Sequence, residues 1–228
     1  MLDIASYTSI GGQRGNHDAF CFKEMGGALM LAMCDGEMDA FAAKRCAQTI
    51  GENLLLGNTP RSAVCETMDA VVDMVSRTIT VPVCAVHIQG DLLQWANVGN
   101  VRLYHFSCGQ IGQVSIDDTS AYKAWLSNET DFAGIRMNPV RSVLTAPPQE
   151  NSVFAPHTGQ ATLADGDAIL VCTDGFWQYV FETEMEIDLL KAEDAGHWLD
   201  QMLLRLTSRS HMENNHLIAC AIRYLIID

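Results

Sequence analysis

The chain has 228 residues, of which 48% are hydrophobic and 18% charged, and a formal net charge of −14. That length fits one domain spanning 1–228, and the apolar content fills a sizeable core, which excludes a disordered chain. The negative charge argues against nucleic acid and anionic membrane surfaces, whose phosphates would repel it, and leaves a soluble acidic surface or a docking site for a basic partner.

Strand patterns open the chain. "AFCFKE" and "ALMLAMC" flank Gly26-Gly27, a two-residue turn typical of a hairpin, and the second run ends in "CDGE". Two amphipathic helices follow. Ala43, Ala47, Ile50 and Leu54 share a face of the first, and Val64, Met68, Val71, Val72 and Val75 a face of the second. Thr59-Pro60 supplies the second helix with an N-cap and a proline at its first position. "VPVCAVHIQ", "LLQWANVG" and "VRLYHF" read as strands, the first two joined at Gly90-Asp91. Residues 118–151 are polar and irregular, with a short helix around "AYKAWL" and a loop through Asn138-Pro139. "DAILVCTDG" is another strand with an Asp-Gly end. The helical stretch "AGHWLDQMLLRL" puts Trp198, Leu199, Met202 and Leu206 on one side, and "HLIACAIRYLII" is the closing strand. Clustered hairpins imply antiparallel sheets, and the placing of the helices predicts an α+β, four-layer αββα sandwich.

Cys34, Cys84, Cys172 and Cys220 sit inside apolar runs, where free cysteine behaves as a small hydrophobe, and no Cys-x-x-Cys pair supports a structural zinc site. The first twenty residues lack a basic stretch followed by an apolar one, so no signal peptide is expected. No apolar run approaches the ~20 residues of a membrane span. These features describe a reduced, cytoplasmic protein.

The two Asp-Gly pairs carry the chemistry. A carboxylate at a strand end is held rigidly and faces the sheet edge, where water and a ligand reach it. If the strands lie in facing sheets, Asp35 and Asp174 converge at one end of the sandwich. Clustered carboxylates repel unless a cation sits between them, and hard oxygen ligands suit magnesium or manganese. Such an ion would acidify bound water and hold phosphate oxygens. The alternative is a pair of ordinary β-turns, since Asp-Gly is a common turn dipeptide.

In order along the chain, "GGQRGNHDAF", "AMCDGE", "LQWANVGNVRLYHF", "NPVRSVLT", "LADGDAILVCTDGFWQYV" and "ENNHLIACAI" resemble the motifs of the metal-dependent serine/threonine protein phosphatases of the PPM class (type 2C), as a divergent bacterial-type member. The resemblance covers nearly the whole chain and implies the same αββα fold. It implies that Asp35 bridges two metal ions with the Gly36 carbonyl on one of them, that Asp174 holds the other, and that Asp18 supports the cluster through metal-bound water. Arg14 would grip the substrate phosphate, and metal-activated water would attack phosphorus without a covalent intermediate. The cofactor would be Mn2+ or Mg2+, one or two ions, and the partner a phosphoprotein within a serine/threonine kinase system.

The departures from the family pattern fall at the chemistry. Asn214 stands where the last metal-binding Asp is expected, His17 replaces the Glu before Asp18, and Asn100 replaces the Asp of the Gly-Asp-Ser-Arg segment. "EMDAFAAK" replaces a glycine-rich loop, and Arg14 stands one residue closer to its Asp than usual. An amide oxygen still coordinates a hard cation, but without a formal charge it binds more weakly. Glu37 and Asp39 are candidate replacements for the missing charge; the other reading makes them helix N-terminal acids. His17 and His216 flank the candidate metal positions and are ligand candidates for a softer ion, against a reading as solvated or hydrogen-bonded imidazoles. Three functions stay open: an active phosphatase with an atypical metal pair, a catalytically impaired relative that binds phosphoproteins or regulates, and a hydrolase for a small phosphorylated metabolite.

Overall fold

A computed structural model describes residues 1–11, 16–36, 39–75, 81–145, 155–209 and 216–226. In chain order its strands are β1 (Leu2–Ser9), β2 (Ala19–Met25), β3 (Ala28–Cys34), β4 (Val83–Gln89), β5 (Leu92–Val98), β6 (Arg102–Ser107), β7 (Gln110–Val114), β8 (His157–Thr162), β9 (Ala168–Cys172) and β10 (Leu217–Tyr224). The helices are α1 (Ala40–Leu55), α2 (Pro60–Val75), α3 (Ser120–Leu126), α4 (Asp174–Trp177), α5 (Glu182–Lys191) and α6 (Ala195–Arg209), with a 3-10 turn at Ala133–Met137.

Two antiparallel five-stranded sheets face each other, in the orders β1-β10-β9-β6-β7 and β2-β3-β4-β5-β8. The turns read from sequence set the register. Gly26 and Gly27 take φ of +60° and +78°, which a side chain would resist, and pair Met25 with Ala28. Gly90-Asp91 likewise pairs Gln89 with Leu92.

β3 shows why its sequence is an unbroken apolar run. Leu29, Leu31 and Met33 point between the sheets, toward Ile169, Val171, Ile218 and Ile222. Met30, Ala32 and Cys34 point outward under α1 and α2, where Ala43, Ala47, Ile50 and Leu54 cover them. Burial on both faces at about 1.5–3 kcal/mol per large side chain fixes the strand firmly. On the other flank, Trp198, Leu199, Met202 and Leu206 of α6 pack with Met185 and Leu189 of α5 over β6, β9 and β10. Together these clusters form the four-layer sandwich expected from the pattern. Thr59 accepts from the Ser62 N–H at the start of α2, as an N-cap does. The Val71, Val72 and Val75 side chains lie outside the described part.

Strands β1, β7 and β8 and the short helices α4 and α5 escape the sequence pattern. β8, "HTGQAT", is a polar edge strand with no apolar face, held by pairing with β5 from Leu92↔Thr162 to Asn97↔His157. Gly159 is its fitting point, because a Cβ there would lie 2.1 Å from the Trp95 ring. All eight cysteines are free. Burial pushes the Cys46 thiol up to about 11 and that of Cys220 up to about 12, which makes them inert packing groups. Among the described residues, no helix is long and apolar enough to cross a membrane.

Candidate active site

Asp35 leaves β3 in one sheet, and Thr173-Asp174 leaves β9 in the other. Asp18, just before β2, joins them. Its Oδ1 accepts from the Gly36 N–H at 3.3 Å and its Oδ2 accepts from the Thr173 hydroxyl at 2.8 Å. Thr173 is fully buried and is tied to β10, since its N–H donates to the Ile218 carbonyl and its Oγ1 accepts from the Ile218 N–H, each at 3.1 Å. One carboxylate thus staples both Asp-Gly ends together across 155 residues of sequence. Asp18 and Asp35 are buried, at 8% and 4% exposure.

Gly36 is no ordinary turn glycine. A Cβ at this position would lie 1.9 Å from the His17 carbonyl oxygen and 2.9 Å from the Ala43 Cβ, so the segment leading to Asp18 passes directly against it. The Gly36 carbonyl accepts from the Asp39 N–H at 3.0 Å. Asp39 itself caps α1, its Oδ1 accepting from the Ala42 N–H at 2.9 Å, which bears out its reading as a helix N-terminal acid.

Asp174 is surrounded by protein donors. Its Oδ2 accepts from the Ser142 hydroxyl at 2.9 Å and the Asn100 side-chain amide at 3.3 Å, and the Arg141 Nε lies 3.7 Å away. The turn that carries Asp174 is backed by a buried post. Arg102 makes paired contacts to Asp117 at 2.7–3.1 Å and stacks on the Trp177 ring at 3.8 Å, and the Trp177 indole N–H donates to the Asn100 carbonyl at 2.9 Å. Burial pushes the Asp117 carboxyl up from its ordinary value, with Arg102 pulling against it.

His17 and His216 come together from the two sheets, their rings stacked at 4.4 Å with 17° between planes. Burial and the adjacent His17 lower the His216 imidazole from its ordinary value, and its Nδ1 is buried without a hydrogen-bond partner. Arg14, Glu37 and Asn214 lie outside the described residues. Sequence reasoning missed Thr173, Ser142, Arg141 and the Arg102–Asp117 post. The only signal for Arg141 and Ser142 was the "NPVRSVLT" stretch.

Among the described residues, no group of three His, Cys, Asp or Glu side chains is placed to hold an ion. The oxygen donors nevertheless suit a hard divalent cation that keeps much of its water, a mode needing only one or two carboxylates. Asp35, the Gly36 carbonyl and Asp174 are of that kind. The Asn100 Oδ1, buried beside Asp174 with no hydrogen-bond partner, is a further oxygen for bound water or an ion. An apolar cavity of about 550 Å³ lined by Arg136, Phe181 and Arg209 is separate, since none of the three acids borders it.

No family model matches the sequence, and no curated protein does. Solved structures match closely in shape. A bacterial serine phosphatase is 18% identical, with 100% of each chain covered and a TM-score of 0.81. The serine/threonine phosphatase Stp1 from Staphylococcus aureus is 18% identical, covering 100% of this chain and 96% of its own, with a TM-score of 0.77. The catalytic domain of the serine/threonine protein phosphatase PstP, in complex with two manganese ions, is 16% identical over 99% of each chain, with a TM-score of 0.74. The chain therefore has the α+β fold of PPM-type phosphatases.

Proposed function

We propose that this chain hydrolyses phosphoserine and phosphothreonine esters on proteins at the end of the sandwich where Asp18, Asp35 and Asp174 lie. The observation that carries the reading is the joining of both Asp-Gly ends through the Asp18 carboxylate. Asp35, the Gly36 carbonyl and Asp174 would hold a magnesium or manganese ion, which would supply positive charge for the phosphate oxygens and acidify water. The chain's own groups do the positioning. Asp18 holds the two loops in register, and the Arg102–Trp177 post fixes the turn from which Asp174 projects. Arg14 serves as the phosphate grip, for which a planar guanidinium is suited. Carboxylates at this end of the sandwich favour a cationic or cation-bound ligand over a bare phosphate, which fits hydrolysis that depends on a divalent ion. The manganese in the PstP structure supports the choice of ion, and a phosphoprotein with the kinase that forms it are the fitting partners.

A second reading rests on specific residues. Asn214, Asn100 and His17 remove carboxylates, and Asp174 already has three protein donors near one oxygen. These features favour a module that binds phosphoproteins without turnover. Hydrolysis of a phosphothreonine peptide and of a generic phosphate ester, with manganese, magnesium and chelator, separates the two. Metal-dependent turnover that Asp174→Asn abolishes is expected; turnover no higher than the variant's under every metal, with the phosphopeptide still bound, establishes the binding module instead.

A further inference from the structure

Residues 115–145 cross from β7 to the site and are fastened at their base. The Asp118 Oδ2 accepts from the Gly99 N–H at 3.2 Å and its Oδ1 pairs with His157 Nε2 at 2.7 Å. The Thr145 N–H donates to the Asp118 carbonyl at 2.9 Å, and the Ser120 N–H to the Val143 carbonyl at 2.9 Å, closing the loop on itself. A turn beginning at Asn138-Pro139, braced by the Val140 N–H donating to Asn138 Oδ1 at 3.0 Å, then delivers Arg141 and Ser142 to Asp174.

The contact of Arg141 is of a particular kind. Its Nε lies 3.7 Å from Asp174 Oδ2, beyond hydrogen-bond reach, and is buried without any hydrogen-bond partner. The guanidinium is therefore held at the carboxylate by charge, with Ser142 making the hydrogen bond. The side chains are 26% and 14% exposed, so water and ions reach the pair. A divalent cation seeks the same anionic oxygen, and it carries twice the charge of the guanidinium. Two cations crowded on one carboxylate oxygen repel each other.

We infer that Arg141 is a tethered counter-ion of Asp174 that competes with a divalent cation, so that cation binding lifts the 138–145 turn from Asp174 and the turn's docking in return weakens the cation. The inference rests on the reading of this site as a cation site, and it assigns the crossover a regulatory role that the hydrolysis reading does not require. Linkage makes the effect reciprocal: whatever the cation does to the turn, the turn does to cation affinity.

The test measures Mn2+ binding to the full chain by isothermal titration and by electron paramagnetic resonance, alongside amide hydrogen exchange of residues 138–145 with and without Mn2+. Arg141→Gln should bind Mn2+ about tenfold more tightly, within the ordinary range of coupling. Arg141→Lys should stay within about twofold of wild type because it keeps the charge. In wild type, Mn2+ should speed amide exchange in the turn. Asp174→Asn should erase the difference between Arg141 and its Gln variant. Equal or weaker Mn2+ affinity in Arg141→Gln, slower exchange of the turn with Mn2+, or no Mn2+ binding by either protein would overturn the inference. Arg141 is partly exposed and outside the core, and a circular dichroism spectrum matching wild type establishes that the variant folds. None of these readouts needs turnover: Mn2+ binding in competition with Arg141, without hydrolysis of any ester, refutes the proposed activity and sustains the counter-ion.

Discussion

Thr173 offers the sharpest test of how the site is assembled, because its hydroxyl and its methyl group make opposite predictions. The hydroxyl donates to the Asp18 carboxylate at 2.8 Å and accepts from the Ile218 N–H at 3.1 Å, in a position with no solvent exposure. Thr173→Val keeps the volume and removes both hydrogen bonds. A hydrogen bond to a charged group is worth about 1.5–3 kcal/mol, and a buried N–H left without an acceptor costs about 1–3 kcal/mol. The two losses share one atom and do not add fully, so the expected cost is about 3 kcal/mol. Thr173→Ser keeps the hydroxyl and deletes one buried methyl, for about 1 kcal/mol. If hydrogen bonding organises this junction, Val is the worse substitution by about 2 kcal/mol; if packing does, Ser is. Urea unfolding followed by tryptophan fluorescence reads the difference. With a slope of about 3 kcal/mol/M, the midpoint should fall by about 1 M for Val and about 0.3 M for Ser. A Val midpoint equal to or above that of Ser refutes the assignment of Thr173 as the junction's hydrogen-bonding centre.

Two further outcomes follow from the contacts of Gly36 and Glu184. Gly36→Ala forces a Cβ to within 1.9 Å of the His17 backbone oxygen, where no side chain can give way, and should cost about 3 kcal/mol; thermal unfolding should drop by roughly 6–12 °C, and a drop below about 2 °C would refute the close approach. The hydrogen bond from Arg209, with Arg205 assisting and burial opposing, holds the Glu184 carboxyl down from 4.5 to about 2. A depressed folded value means that this stability is complete above pH 4.5 and is lost as pH falls toward 2. Because Arg209 is 34% exposed, the share is discounted to about 1–2 kcal/mol. Glu184→Gln should destabilise at pH 7 and close the gap to wild type near pH 2.5, as read by urea midpoints at both pH values; a gap of the same size at both would exclude the ion pair as its source.

Much of the fold was legible because local burial leaves periodic marks. The double-faced burial of β3 wrote a continuous apolar run, and the one-sided burial of α1 and α6 wrote the 3.6-residue spacing of Ala43, Ala47, Ile50 and Leu54 and of Trp198, Leu199, Met202 and Leu206. The glycine pairs marked hairpins because only glycine takes positive φ there without strain. Edge strand β8 left no mark, since backbone pairing with β5 needs no apolar side chain. The Asp-Gly ends stood out in the sequence, but what surrounds them did not.

The sequence by itself determined the layered sandwich and the two strand ends that present Asp35 and Asp174, because strand and helix patterns depend on neighbours only a few residues away. The tertiary structure alone decided that Asp18 grips both ends, that Thr173 is the residue it grips through, and that Arg141 and Ser142 sit on Asp174. These are polar contacts between residues 18 to 155 positions apart. A hydrogen bond or ion pair imposes no period on the chain, so its partners are identified only when folding brings them within about 3–4 Å of each other.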